Sequence, residues 1–159
     1  IYAAIDIWEM RRIIANSEEL NILIERAGTA ADIRYNVAAM NANGRAYLIY
    51  RDPKYKDAFR QNYEANKKIL TDLYQKARRQ ENKEAARRMI EAQDAYYNFV
   101  QQEVFTRLEQ GKFEEAAQVA LQNGLPLARA LNQVVDEYAS KRKNELLEVK
   151  THLPHPQVR

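Results

Sequence analysis

The sequence predicts an all-α protein, an antiparallel up-down four-helix bundle in which the first and last helices are extended. Three observations support this fold class. The 159 residues include only four Gly and four Pro, whereas helix-favouring residues such as Ala, Leu, Glu, Lys, Arg and Gln are abundant. Apolar residues recur at heptad spacing in four long segments. Short turns join these segments, as in bundles whose neighbouring helices run antiparallel.

The first predicted helix runs from about Tyr2 to Tyr50 and has two different faces. An apolar stripe is expected to face the core and consists of Ile33, Val37, Met40, Gly44 and Tyr47. A polar face lies beside it and consists of Arg34, Ala38, Asn41, Arg45 and Leu48, at positions i, i+4, i+7, i+11 and i+14. Two cations and an amide among small residues suit either a small anion or a partner helix.

The beginning of this helix indicates a position near a membrane. Tyr2 and Trp8 precede the pair Arg11 and Arg12, and aromatic residues followed by arginines are typical of the interface beside a bilayer. An ordinary amphipathic helix with a solvated arginine pair is the alternative. Further along, Gly28 is expected to mark close packing, because glycine otherwise weakens a helix.

The other three helices follow from turn signals and from the apolar spacing. Asp52 is a good N-cap and Pro53 suits a first helical position, so the chain is expected to fold back there. We call this tip the distal end. The second helix is predicted to reach about Gln80, and the third to follow a turn at 80–82 and end at the Gly111 cap. The fourth runs from about Lys112 to Val149, with a kink or bulge at Gly124 and Pro126.

Each of these helices has a stripe that is expected to face inward. In the second it consists of Tyr55, Phe59, Asn62, Asn66, Ile69, Leu73 and Ala77. In the third it consists of Ala86, Ile90, Gln93, Tyr97, Val100, Val104 and Leu108. In the fourth it consists of Phe113, Ala117, Ala120, Gly124, Leu127, Leu131, Val134 and Tyr138. Residues 1–150 are therefore expected to fold as one domain, and 151–159 to be an irregular tail, either native or appended.

Composition argues against enzymatic and cofactor-dependent functions. There is no Cys, and His152 and His155 lie in the predicted tail, so we expect no metal site and no cofactor. Ser is scarce, which disfavours a nucleophilic triad. The basic clusters at 78–79, 87–88 and 141–143 are interspersed with acids on different helices, so we expect solvated surfaces and no nucleic-acid partner.

The helix ends resemble a known family. Asn36, Asn41 and the run Arg45-Ala-Tyr-Leu-Ile-Tyr-Arg-Asp52 close the first helix, and Gly-Lys-Phe-Glu-Glu-Ala opens the last. These features, over the chain to about Lys150, resemble the four-helix-bundle ligand-binding domains of bacterial chemoreceptors and related sensor kinases. In well-known members, arginines at i, i+5 and i+9 bind an amino-acid carboxylate across a dimer interface. Here those positions hold Asn36, Asn41 and Arg45, so only the last keeps its cation.

The resemblance implies a site in the distal half for a small organic anion or amino acid. The six expected ligand-binding residues are Arg45, Arg34, Asn41, Asn36, Asn62 and Asn66. Asn62 and Asn66 take part only if the ligand enters between helices of one protomer. Amides near Gln118, Gln122 and Asn123 are further candidates. The alternative for Arg45 is an ion pair with Asp52 or Glu64, or simple solvation.

The expected function is that of a periplasmic sensor domain of a transmembrane chemoreceptor that signals by a helix displacement. The membrane spans would flank this sequence, which is expected to be an excised domain. We also expect a homodimer through the first helix, where Ala30, Ala31 and Ala38 permit close approach. The alternatives are the sensor domain of a histidine kinase and a structural or protein-interaction bundle without a small-molecule ligand.

Overall fold

The structure, a computed structural model, describes the backbone of residues 2–152 and the side chains of residues 6–149. Helix α1 spans Tyr2–Tyr50 and α2 spans Pro53–Lys76. Helix α3 comprises Gln80–Phe99, a π-helical segment Val100–Phe105 and a last turn Thr106–Glu109. Helix α4 comprises Phe113–Val119, a π-helical segment Ala120–Gly124 and Leu125–His152. Within residues 2–152 there is no strand, so the all-helical fold with four long helices is confirmed.

The distal turns follow the predicted capping chemistry. The Asp52 side chain accepts a hydrogen bond from the backbone N–H of Lys54 at 3.0 Å, and Pro53 begins α2. Gly111 has φ +76°, and its N–H donates to the Leu108 carbonyl at 3.0 Å, which satisfies a carbonyl at the end of α3. Before Asp52, Arg51 also has a positive φ, of 59°, which is unfavourable for a residue with a side chain.

The turn between α2 and α3 differs from the prediction. Helix α2 ends at Lys76, because Ala77 and Arg79 have extended backbone conformations. The predicted turn at 80–82 instead belongs to the first turn of α3. No Gly, Pro or side-chain cap marks residues 77–79, so the sequence contained no clear stop signal at this point.

The core lies where α1 and α3 each contact both α2 and α4. All five residues of the predicted α1 stripe are buried. Gly44 allows close packing, since a Cβ built there would lie 3.3 Å from the ring of Phe59. The rings of Phe59 and Tyr47 both pack edge-to-face against Phe105, with centroids 5.1 and 4.7 Å away.

The inward stripes of the later helices are only partly correct. Phe59, Asn66, Ala86, Gln93, Val100, Val104, Leu108, Gly124, Leu131 and Tyr138 are buried as predicted. Leu70 is fully buried instead of Ile69, Met89 and Tyr96 are buried beside the predicted positions, and Ala116 is buried instead of Ala117. A strict heptad drifts around a straight helix, and a π-helical segment adds one residue, which shifts the inward positions on one side of it.

The two π-helical segments lie beside each other. The segment Ala120–Gly124 is the bulge predicted near Gly124 and Pro126, whereas Val100–Phe105 was not predicted. The two segments contact each other. A Cβ built at Gly124 would lie 3.5 Å from the ring of Phe99, just before the other segment. The Thr106 hydroxyl donates to the Gln101 carbonyl five residues earlier, at 3.1 Å.

The first turns of α1 are exposed on all sides. Every side chain from 6 to 19 is exposed, including Trp8 at 64%, as predicted for a segment outside the core; the side chain of Tyr2 lies outside the described residues. A Cβ at Gly28 meets no atom within 4 Å, so Gly28 does not mark close packing inside this chain. At the other end, α4 continues to His152, and the predicted tail beyond it lies outside the described residues.

Candidate functional site

Arg45 is a cation without a protein partner. Its side chain is exposed on α1 and has no ion pair or hydrogen bond within residues 6–149. The predicted alternatives, Asp52 and Glu64, do not pair with it; Asp52 lies 3.7 Å from Lys54 Nζ. Arg45 is therefore free to bind an anion from solution.

The hydroxyl of Tyr96 approaches α1 at Gly44. It is 3.7 Å from a Cβ built at Gly44, the residue before Arg45. Tyr96 is 7% exposed, and its hydroxyl has no hydrogen bond with a described residue. Burial raises the pKa of Tyr96 to about 12, and the nearby charge of Arg45 acts in the opposite direction. At neutral pH the hydroxyl keeps its proton and can donate a hydrogen bond.

Asn41 lies one turn before Arg45 on the same face of α1. Its Nδ2 donates to Asn132 Oδ1 of α4 at 3.3 Å. Its Oδ1 is buried and has no hydrogen-bond partner within the described part of the chain. Since a buried amide oxygen without a partner is costly, a hydrogen-bond donor brought by a ligand would be favourable at this position.

Arg34 and Asn36 lie away from Arg45. The Nε of Arg34 lies 3.3 Å from Asp136 Oδ1, and both side chains are 59% exposed. Eleven residues separate Arg34 from Arg45, which is about 16 Å along the helix axis. One small acid therefore cannot contact both guanidinium groups. Asn36 is half-buried, and its side chain has no hydrogen bond with a described residue.

Asn62 and Asn66 lie at other helix interfaces. The Oδ1 of Asn62 accepts from Asn43 Nδ2 of α1 at 2.7 Å. Asn66 is 1% exposed, and its Nδ2 donates to Gln93 Oε1 of α3 at 2.5 Å. Gln93 is also fully buried. These amides join helices to each other within the protein, and the structure does not bring them together with Arg45.

A second polar cluster joins α2 to α3 near the surface. The Tyr63 hydroxyl donates to Asp94 Oδ1 at 2.6 Å, and Lys67 Nζ lies 3.1 Å from both oxygens of Asp94. Hydrogen bonds to Tyr63 and Asp94 raise the pKa of Lys67. The rings of Tyr63 and Tyr97 stack with centroids 3.7 Å apart. Because these groups satisfy one another, the cluster is better explained as an interhelical contact than as a ligand site.

Two open grooves lie on the outer surface. One, of about 710 Å³, follows α2 beside Tyr63 and Lys67. The other, of about 560 Å³, follows α4 and includes Asn132 and Asp136, the partners of Asn41 and Arg34. The second groove therefore borders the polar face of α1. The amides Gln118, Gln122 and Asn123 are exposed on α4 and contribute to neither groove.

Three other features of the described residues bear on the kind of site. No group of three or more His, Asp or Glu side chains there is arranged to hold a metal ion. None of the helices described has a stretch both long and apolar enough to cross a membrane. The basic cluster at 141–143 differs from the prediction, because Arg142 is 4% exposed and bonds to Asn82 and Glu145.

Tyr96 was not predicted from the sequence as a site residue. Heptad spacing placed Tyr97 inward, and Tyr96 beside it carried no signal of its own. Asn132 and Asn43 were also not predicted as partners of Asn41 and Asn62. The sequence carried no clear signal for Asn132, because Arg129, Gln133 and Asp136 nearby are also polar.

Comparison of the chain with protein-family models, with curated proteins and with solved structures gives no match.

Proposed function

We propose that this chain is the periplasmic ligand-binding domain of a transmembrane chemoreceptor, and that it binds a small organic carboxylate in its distal half. The observation that carries the proposal is the pair formed by Arg45 and Tyr96. Arg45 is a cation without an ion pair, and the hydroxyl of Tyr96, which has no hydrogen bond with a described residue, approaches α1 at the preceding residue, Gly44. A carboxylate satisfies both groups at once.

The carboxylate would bind with both oxygens to the guanidinium of Arg45. The planar guanidinium matches the spacing of the two oxygens. The Tyr96 hydroxyl donates a further hydrogen bond from the core side. An amino or hydroxyl group on the same ligand would donate to the unpartnered Oδ1 of Asn41. The favoured ligand class is thus a small carboxylic acid with a neighbouring donor group, which includes amino acids and hydroxy acids.

The proposed architecture is an antiparallel up-down bundle. Along α1 and α4, residue numbers of contacting pairs change in opposite directions, since Arg34 pairs with Asp136 and Asn41 with Asn132. The other neighbouring helices show the same reversal. Between α1 and α2 the pairs are Asn43–Asn62 and Tyr50–Tyr55, and between α2 and α3 they are Phe59–Tyr97 and Asn66–Gln93. Between α3 and α4 they are Asn82–Arg142 and Phe99–Gly124. In this arrangement the start of α1 and the end of α4 leave at one end, where flanking membrane spans would continue.

Signalling would follow from a small displacement of α4 relative to α1. Asn41 and Asn132 join these helices at 3.3 Å, a long hydrogen bond that a ligand can replace. The ligand shifts the equilibrium only if it binds one arrangement of the two helices more tightly than the other.

The proposal includes a homodimer through α1. Ala31 and Ala38 are exposed and available to a second copy. Ala30, which was expected to take part, is 2% exposed in the core, so the dimer would use the side of α1 opposite to it.

A panel of small carboxylic acids tests the proposal through the thermal midpoint of unfolding. A ligand at about 100 times its dissociation constant stabilises the folded chain by about 2.7 kcal/mol, which raises the midpoint by about 5–10 °C for a chain of this size. At the same ligand concentration Arg45→Ala should reduce this rise to about half or less, whereas Arg60→Ala should keep it. Arg60 is a suitable control because it is an exposed arginine near Asp57 on α2. Arg34→Ala should reduce the rise less than Arg45→Ala.

The outcomes separate the proposal from its alternatives. A rise that is equal in Arg45→Ala places the ligand elsewhere on the chain. No rise with any acid favours a structural or protein-interaction bundle. A histidine-kinase sensor would give the same binding result, and only the sequence that follows this domain in the whole protein distinguishes the two.

A further inference from the structure

Two amide side chains lie in the core between α2 and α3. Of the described residues of α2 three are buried, and Asn66 is one of them; Gln93 is one of the four buried residues of Gln80–Phe99. The Nδ2 of Asn66 donates to Oε1 of Gln93 at 2.5 Å. The Nε2 of Gln93 donates to the backbone carbonyl of Tyr63, one turn earlier on α2, at 3.5 Å. Gln93 therefore contacts two successive turns of α2.

The turn that joins these two helices has no residue that fixes its position. Residues 77–79 contain neither Gly nor Pro, and Arg79, at the N-cap of α3, makes no side-chain capping hydrogen bond. The polar run at 80–82 favours a turn in the sequence but is helical in the structure. Local sequence thus leaves the place of the turn open, and a contact between the two helices has to decide it.

A slide of α3 along α2 by one heptad gives the alternative turn. Apolar stripes at heptad spacing permit such a slide, because it brings each stripe to an equivalent position about 10 Å away. The turn of a helical hairpin lies midway between the residues that it brings together. It would therefore move by half of the slide, roughly three to four residues, which takes it from 77–79 to 80–82.

The amide pair distinguishes the two arrangements. In the observed arrangement Asn66 and Gln93 are hydrogen-bonded to each other. After the slide Asn66 would face Val100, and Gln93 would face Leu73, and both of these residues are apolar. Two buried amides would lose their partners, which is unfavourable in a protein interior. Apolar side chains at both positions would instead pack in either arrangement.

The other polar contacts across this interface discriminate less. Tyr63 donates to Asp94, and Lys67 Nζ lies 3.1 Å from the same carboxylate. The side chains of Lys67 and Asp94 are 43% and 31% exposed. After a slide, water could solvate these groups, whereas the buried amides would have no such substitute.

We propose that the Asn66–Gln93 pair sets the register between α2 and α3 and so places the turn at 77–79. A buried polar residue can specify the register of packed helices at some cost in stability. The Oδ1 of Asn66 has no hydrogen-bond partner among the described residues, which agrees with such a cost. The proposal rests neither on ligand binding nor on a second copy of the chain.

The backbone conformation of residues 77–79 tests the proposal by nuclear magnetic resonance. Ala77 and Arg79 are extended, and extended and helical residues differ in their carbon chemical shifts. The double variant Asn66→Leu/Gln93→Leu removes both amides and leaves neither unpaired. It should give a second set of resonances in which 77–79 are helical, whereas the original chain should give one set in which they are extended.

Two control variants separate register from the mere presence of amides. Asn66→Gln/Gln93→Asn exchanges the two amides and should keep the single set with 77–79 extended. Asn43→Leu/Asn62→Leu removes the amide pair that joins α1 to α2 at 2.7 Å. It should also keep the single set, because it leaves the interface between α2 and α3 intact.

Each outcome bears on the proposal. A single set with 77–79 extended in Asn66→Leu/Gln93→Leu overturns it, and so does a second set that appears equally in Asn43→Leu/Asn62→Leu. A double variant that fails to fold also overturns it, since the pair would then stabilise the helices rather than select their register. Asn66→Leu alone leaves Gln93 unpaired, so its thermal midpoint should lie about 2–10 °C below that of the double variant. Equal midpoints would show that Gln93 is solvated and does not set the register.

Discussion

The hydroxyl of Tyr96 should make the chain sensitive to alkaline pH in a way that one substitution removes. Burial raises the pKa of Tyr96 to about 12, whereas a tyrosine in an unfolded chain titrates near pH 10. The folded state therefore disfavours the ionised side chain. The stabilising effect is complete below about pH 10 and is lost as the pH rises through about 12, because the unfolded chain ionises first.

The magnitude follows from these two pKa values. Between about pH 9 and about pH 11, unfolding becomes more favourable by about 1.3 kcal/mol on account of this one group. Tyr96→Phe removes the ionisable group and keeps the ring that packs edge-to-face against Phe59 at 6.1 Å. The hydroxyl has no hydrogen bond with a described residue, so at neutral pH the variant should unfold with nearly the same free energy.

Urea unfolding followed by circular dichroism measures the effect at both pH values. Other tyrosines with raised pKa, Tyr138 and Tyr63 among them, contribute equally to both proteins and cancel in the comparison. The free energy of unfolding of the original chain should fall by about 1.3 kcal/mol more than that of Tyr96→Phe. An equal fall in both proteins would mean that the Tyr96 hydroxyl is solvated, and it would remove Tyr96 from the proposed site.

Three further predictions concern the helices. Arg51→Gly should be about 1 kcal/mol more stable than Arg51→Ala in urea unfolding, because both lose the contact with Phe113 but only glycine accepts the positive φ without strain; equal stabilities would contradict the strain. Deleting Gln122 should let the π-helical segment of α4 become α-helical with little loss of unfolding free energy. Deleting Gln133 from a regular part of α4 should lower the unfolding free energy by at least about 3 kcal/mol more, because it displaces core residues. Similar losses in the two deletion variants would contradict this account. Gly28→Ala should raise the thermal midpoint by about 2–4 °C, since its Cβ meets no atom and alanine favours the helix by about 1 kcal/mol; a lowered midpoint would indicate crowding there.

The fold was predictable because its signals are local and repeated. Helix-favouring composition, heptad stripes and the caps at Asp52 and Gly111 identify four helices and two of their turns. The turn at 77–79 was not predictable, since it contains no residue that stops a helix. The π-helical segment Val100–Phe105 was also missed, because it results from how α3 packs against α4 rather than from a breaking residue.

The candidate site was predictable only on α1. Arg45, Asn41 and Arg34 share a helix face because of their spacing along one segment. The packing of the helices decides which of these residues has a partner on another helix. Arg34 has one, because it lies against Asp136 of α4. Tyr96 comes from α3, and no pattern within one helix relates it to Arg45. Its hydroxyl approaches α1 at Gly44, and that approach depends on how the helices pack together.

The central claim is that Arg45 binds the carboxylate of a small acid. Isothermal titration calorimetry with the acid that gives the largest thermal shift tests it most directly, on the original chain, Arg45→Ala and the control Arg60→Ala. A charged hydrogen-bonding pair is worth about 1.5–3 kcal/mol, so Arg45→Ala should weaken binding by roughly 10- to 150-fold. Arg60→Ala should bind as the original chain does. An affinity of Arg45→Ala within about twofold of the original would contradict the claim, because a guanidinium–carboxylate contact of this strength could not then be present.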